Sequence, residues 1–259
     1  MTHSPTITKN PFILVITRMP FLPVIARNPS LPVIARNEMT KQSHQLKSII
    51  LLSGGLDSIV SAAIAKEKTT PLFALTFDYG QRAAKMEIQA SKKTCKALKI
   101  RHMVIKLPFF AEFKKLLMLQ TREEVNIEKF NKLKDVWVPN RNGLFINIAA
   151  CYAEYYGADL IITGFNREEA VQFPDNRPQF IAATNHALMF STLTKVKVRS
   201  FVSEYTKKQI YKLGLKYNAP MRYIYSCYLG EQKMCGKCAS CRRLKKAMEC
   251  NESSHCVNY

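Results

Sequence analysis

A chain of 259 residues can bury a full core and fits one α/β domain with a small appendage. Its formal charge of +20 attracts polyanions such as tRNA, but a charge count gives no location, and lysine-rich helices on a solvated surface account for it equally well. The longest apolar segment, residues 12–25, is broken by Arg18, Pro20 and Pro23, which excludes a membrane span, and eight cysteines without a signal peptide point to a reducing compartment, the cytoplasm.

Residues 1–38 hold half of the twelve prolines and a single acid, Glu38. They also carry the string Leu-Pro-Val-Ile-Ala-Arg-Asn twice, at 22–28 and 31–37. So short a repeat builds neither a solenoid nor a core, and the segment reads as a disordered or spurious extension ahead of a start at Met39. The expected organisation is then a nucleotide domain over 39–220 and a metal-binding subdomain over 221–259.

From residue 48 onward strand and helix patterns alternate. Strands are predicted at 48–53, 71–77, 101–106, 158–163 and 196–200, and helices at 57–67, 83–99, 109–118, 143–157, 178–190 and 205–217. Such alternation predicts an α/β fold with a parallel sheet, in which ligands bind beyond the carboxyl ends of the strands. The loops at 53–58, 78–82, 107–108, 164–177 and after 200 are therefore expected to carry the chemistry. Residues 119–142 break the alternation and read as an excursion over the site.

The first strand runs into Leu52, Ser53, Gly54, Gly55, Leu56, Asp57 and Ser58. Two glycines let the backbone turn its N–H groups onto an anion, the serines add hydroxyls, and the next helix points its positive end at the same spot. Asp57 would repel a phosphate unless a cation lies between them, so it reads as a magnesium ligand. The string resembles the SGGxDS signature of the PP-loop (N-type) ATP pyrophosphatases, whose Rossmann-like domain cleaves ATP to AMP and pyrophosphate; the Gly-Lys-Ser/Thr of a Walker loop is missing.

Near the other end stand Cys227, Cys235, Cys238 and Cys241. Thiols in tight Cys-x2-Cys turns suit tetrahedral zinc, and four protein ligands make a closed, structural site, with an iron–sulfur cluster or bare thiols as the alternatives. Cys95 and Cys151 read as core; Cys250, His255 and Cys256 read as bystanders.

Together, residues 77–82 (Phe-Asp-Tyr-Gly-Gln-Arg), 138–142 (Val-Pro-Asn-Arg-Asn), 173–180 (Phe-Pro-Asp-Asn-Arg-Pro-Gln-Phe), 226–228 (Ser-Cys-Tyr) and 235–241 (Cys-Gly-Lys-Cys-Ala-Ser-Cys) resemble the 7-cyano-7-deazaguanine synthase family across about residues 48–245. The resemblance implies a ligase acting on 7-carboxy-7-deazaguanine, ATP and ammonia, a homodimer, and no direct tRNA binding. It implies pyrophosphate and magnesium at residues 52–58. Asp78 would hold metal or substrate, or cap a helix. Arg82 and Arg141 would grip a phosphate or the substrate carboxylate, or form structural ion pairs. Asn142 would brace the following helix start or the substrate, Asp175 would accept the N–H groups of the guanine-like ring, and Phe173 or Tyr79 would stack on it.

Two departures stand out. Ala83-Ala84 follow Gln81-Arg82 where that family commonly carries histidine, and residues 166–173 differ from the family's usual loop. A PP-loop enzyme acting on tRNA by thiolation or lysidine formation, a paralogue joining the carboxylate to another amine, and a catalytically silent zinc-stabilised binding module are the competing expectations.

Overall fold

The computed structural model describes residues 45–113, 116–119 and 136–249, and the extension, Cys250, His255 and Cys256 lie outside them. Five strands, β1 (Lys47–Leu51), β2 (Thr70–Asp78), β3 (His102–Lys106), β4 (Leu160–Thr163) and β5 (Lys197–Ser200), pair in parallel in the order β3-β2-β1-β4-β5. All five fall within two residues of the predicted ends. The chain runs outward from β1 to β3, then resumes at β4 on the other side of β1. That reversal opens a crevice between the carboxyl ends of β1 and β4, the usual ligand position in such sheets.

Successive side chains of β1 serve opposite faces of the sheet. Ile49 packs with Phe73, Leu75, Ile161 and Ile146, the last on helix α3 (Arg141–Tyr156). Ile50 packs with Ala74, Ile162, Ile59 of α1 (Leu56–Lys68) and Ile210. These isoleucines are fully buried, each contributing roughly 1.5–3 kcal/mol. Helix α2 (Ala84–Leu98) lies against β2 and β3, and α6 (Lys207–Lys216) lies along α1. A reciprocal pair of hydrogen bonds fixes the first residue of α6: Thr206 Oγ1 accepts from the Gln209 N–H at 3.3 Å, and Gln209 Oε1 accepts from the Thr206 N–H at 2.9 Å.

Three elements differ from expectation. The described residues of 109–118 form no α-helix: Pro108–Glu112 and Leu117–Leu119 are 3-10 turns closed by i to i+3 bonds such as Phe113 N–H to Phe110 O. Residues 164–177, expected as loop, contain α4 (Arg167–Gln172) ahead of the predicted α5 (Pro178–Ser191). The cysteine segment ends in a further helix, α7 (Ala239–Glu249), whose Leu244 and Ala247 are buried in the core shared with Ile59 and Ile210. No helix of the described residues is long and apolar enough to cross a membrane.

Candidate active site

At the end of β1 the backbone makes its turn through Gly54, whose φ of +78° lies in the left-handed region that favours glycine. A Cβ there would also stand 2.7 Å from the Ala90 Cβ on α2. Ser58 stabilises the turn by accepting from the Ser53 N–H at 3.2 Å and donating to Gly55 O at 3.0 Å. Gly55 precedes α1 without any side-chain cap, which leaves the first-turn N–H groups facing the crevice. From the opposite wall Gly164, just after β4, approaches so closely that a Cβ would lie 2.8 Å from the Ser58 nitrogen. Leu52, Ser53, Gly55, Leu56, Asp57 and Ser58 line the resulting cavity of about 250 Å³; Gly54 shapes it from behind. Thr163 Oγ1 is buried at its edge with no hydrogen-bond partner among the described residues, a donor suited to a phosphate or a nucleotide hydroxyl.

Asp57 has a partner that sequence reading missed. Lys207, at the start of α6, extends its ammonium to Asp57 Oδ2 at 2.5 Å and to Glu169 Oε1 at 2.9 Å. Burial raises the Asp57 pKa, and Lys207 offsets only part of that cost. Burial pushes Glu169 upward too, but it is the more exposed of the two, and Lys207 holds it below the usual carboxylate range. Lys207 loses by burial and gains more from the two carboxylates, so it stays charged. Two carboxylates converge here, with Lys207 and the charge of Arg243 as their positive neighbours, and Asp57 Oδ1 is buried without a hydrogen bond. That donor set fits a hard divalent cation such as magnesium.

Across the cavity Arg141 opens α3. It donates to the Tyr79 hydroxyl at 3.1 Å and lies 5.7 Å from that ring's centre. Burial works against its charge, but Tyr79, Asp175 and Glu87 more than offset it, so the guanidinium stays protonated. Tyr79, Arg141, Asn142 and Phe173 all line the cavity, and Phe173 stacks on Trp137 at 6.4 Å.

Four of the expected site residues are placed differently. Asp175 is not part of the lining, because its two oxygens accept from Asn142 at 2.9 Å and Asn176 at 3.2 Å; it braces Asn142 instead of offering a free acceptor. Asn142 points to that carboxylate instead of the helix start, and the N-cap of α3 is Asn140. Asp78 accepts from the Gly80 N–H at 3.3 Å within its own turn, and Arg82 joins residues 116–119 through its N–H to Met118 O at 3.1 Å; neither lines the cavity. The loop at 107–108 contributes nothing to the lining either. Glu87, Phe145, Glu169, Lys207, Tyr225 and Tyr228 do line it and were not anticipated.

Cys227, Cys235, Cys238 and Cys241 converge as the spacing predicts, with all four sulfurs within 4.8 Å of one another. Backbone N–H groups of Lys237 and Cys238 donate to Cys235 Sγ at 3.4 and 3.3 Å, the pattern that steadies a thiolate ligand. Four thiols so close favour loss of protons to a soft cation, and the set fits a closed tetrahedral site. Ala83, fully buried, packs against Cys227, Cys238 and Cys241, so a small residue meets the cluster where the family resemblance leads one to expect histidine. The segments that carry the cluster form one wall of the cavity, since Ser226, Tyr228 and Ser240 all line it.

A family model described as "Queuosine biosynthesis protein QueC" matches residues 47–252. The chain is 46% identical over 212 residues to the 7-cyano-7-deazaguanine synthase of Pelotomaculum thermopropionicum, covering 78% of this chain and 96% of that one. It is 48% identical over 209 residues to the protein of the same name from Carboxydothermus hydrogenoformans, covering 78% and 97%. With the one from Methanocaldococcus jannaschii it shares 43% over 218 residues, covering 78% and 94%.

Proposed function

The chain belongs to the queuosine biosynthesis protein QueC family, and from that membership we propose that it is a 7-cyano-7-deazaguanine synthase. The observation that carries the reading is one cavity with a glycine loop and uncapped helix end on one wall and a buried arginine on the other. A carboxylate is a poor electrophile at neutral pH. In the proposed reaction the carboxylate of 7-carboxy-7-deazaguanine attacks the α-phosphorus of ATP and pyrophosphate leaves; ammonia then displaces AMP to give the amide. A second adenylation, of the amide oxygen, lets AMP leave again and closes the nitrile.

Ser53, Ser58 and the N–H groups at the start of α1 hold the pyrophosphate, and Arg141 holds the reacting carboxylate against it. Magnesium, bound by Asp57 and Glu169, would neutralise charge on the departing phosphates. Lys207 keeps both carboxylates in place and lies within reach of the same phosphates. Zinc in the four-cysteine cluster would be structural. Free thiols at Cys95 and Cys151 fit a cytoplasmic enzyme. Phe190, 78% exposed, and Leu193, 95% exposed, fit pairing of α5 with a second copy; sedimentation at the single-chain mass would remove that pairing.

The test is isotope exchange between pyrophosphate and ATP in the absence of ammonia. Exchange that requires 7-carboxy-7-deazaguanine is expected; no exchange, or exchange indifferent to that compound, would overturn the reading.

A further inference from the structure

Among the described residues three carboxylates line the cavity, and two of them, Asp57 and Glu169, are committed to Lys207. The third, Glu87, has no lysine or arginine within ion-pair distance among the described residues. It is held rigidly all the same. Its backbone carbonyl would lie 3.0 Å from a Cβ at Gly54, so the first turn of α2 is seated on the glycine loop. Its Oε2 accepts from Gln81 Nε2 at 2.8 Å. Gln81 is itself fixed, accepting from the Tyr79 N–H at 2.9 Å and donating to Phe77 O at 3.0 Å, so the amide presents only its donor to Glu87.

The groups that face Glu87 electrostatically are Arg141 from α3, Asp78 from β2, and the hydroxyls of Tyr79 and Tyr225. Burial raises the Glu87 pKa; the bond from Gln81 and the charge of Arg141 lower it in part, and Asp78 adds to the rise. A carboxylate raised in this way is a stronger base than one in water. No histidine is among the described residues that line the cavity. The nucleophile of the proposed reaction arrives as ammonium, a cation that must lose a proton before its lone pair can attack.

We infer that Glu87 is the base of the amination steps: it binds ammonium beside the carboxylate held by Arg141 and takes one N–H proton in each half-reaction. This rests on the synthase reading. In the first half one N–H bond of ammonium breaks as the Glu87 O–H bond forms. The freed lone pair makes the C–N bond, the C–O bond to AMP breaks with its electron pair, and the second N–H proton leaves on AMP. Glu87 then returns its proton to solvent. In the second half the adenylated amide gives one N–H proton to Glu87 and the other to the departing AMP, leaving the nitrile.

Glu87→Gln keeps the shape and loses the base. Substrate-dependent pyrophosphate exchange should stay within about threefold of the wild type, while amide formation falls by about 10²–10⁴-fold. The KM for ammonium should rise, and the part of the acidic limb that follows the raised Glu87 pKa should be lost, leaving the fall that protonation of Asp57 produces. If Glu87→Gln does not fold, Glu87→Asp carries the same test, with amination reduced and exchange kept. Exchange and amination falling together would make Glu87 a nucleotide or substrate clamp and overturn the inference, as would unimpaired amination. A wild type that shows no exchange would overturn the synthase reading, which separates the two failures.

Discussion

At Lys207 a single ammonium answers two carboxylates drawn from α1 and α4, and Asp57 stands 150 residues away in the chain. Its replacement by methionine strands two acids in a partly buried seat, which costs about 3–5 kcal/mol for a broken buried pair. Magnesium should restore more stability to Lys207→Met than to the wild type, because the ion would occupy the charge left unanswered. Urea unfolding with and without magnesium checks this, and equal stabilities for the two proteins would contradict it. Asp57 was legible as a cavity residue because it stands inside the glycine string that follows β1. Lys207 was not, since a lysine opening an amphipathic helix looks like any solvated lysine until the fold turns it inward. Asp175 misled for the converse reason: only coordinates reveal that Asn142 and Asn176 occupy both its oxygens.

Among the elements, the strands were legible because β1, β2 and β4 are apolar runs buried on both faces, as parallel sheets require. Helix α4 buries none of its residues and therefore has no periodicity to read; Asn166 starts it by accepting from the Glu169 N–H at 3.0 Å. Helix α7 did leave a signal, with Cys241, Leu244 and Ala247 buried at three-residue steps, but the metal-ligand spacing drew attention away from it. Residues 109–118 read as a helix, whereas Phe109 stacks on Phe110 and Phe113 meets both rings edge-on over a short 3-10 turn.

The cysteine cluster joins α7 to the cavity wall, so a metal bound there would have consequences beyond its own turn. Metal analysis should find about one zinc per chain, and Cys238→Ser should lose it, with a stability loss of several kcal/mol and a raised KM for ATP. Iron with charge-transfer absorbance in the purified protein would contradict the zinc assignment. An unchanged KM in the metal-free variant would contradict the link between the cluster and the wall formed by Ser226, Tyr228 and Ser240.

On the scale of the whole molecule, the order β3-β2-β1-β4-β5 decides where chemistry can happen, because it separates the loops after β1 and β4 and leaves a crevice between them. The alternation of strand and helix patterns foretold the parallel sheet, and the glycine string after β1 marked one side of the crevice. The other side is assembled from Gly164, Glu169 and Lys207; the alternation placed the 164–177 segment and the stretch after 200 at this end of the sheet, but which of their residues meet the glycine loop is decided only when β4 and α6 have packed. In the proposed reaction this one cavity activates the same substrate carbon twice. Mass spectrometry of a reaction containing 7-carboxy-7-deazaguanine, ATP, magnesium and ammonium tests it most directly. Two molecules of AMP per nitrile, with the amide rising and falling between them, is the predicted result. Nitrile or amide formed without AMP, or AMP released with the carboxylate unchanged, would contradict it.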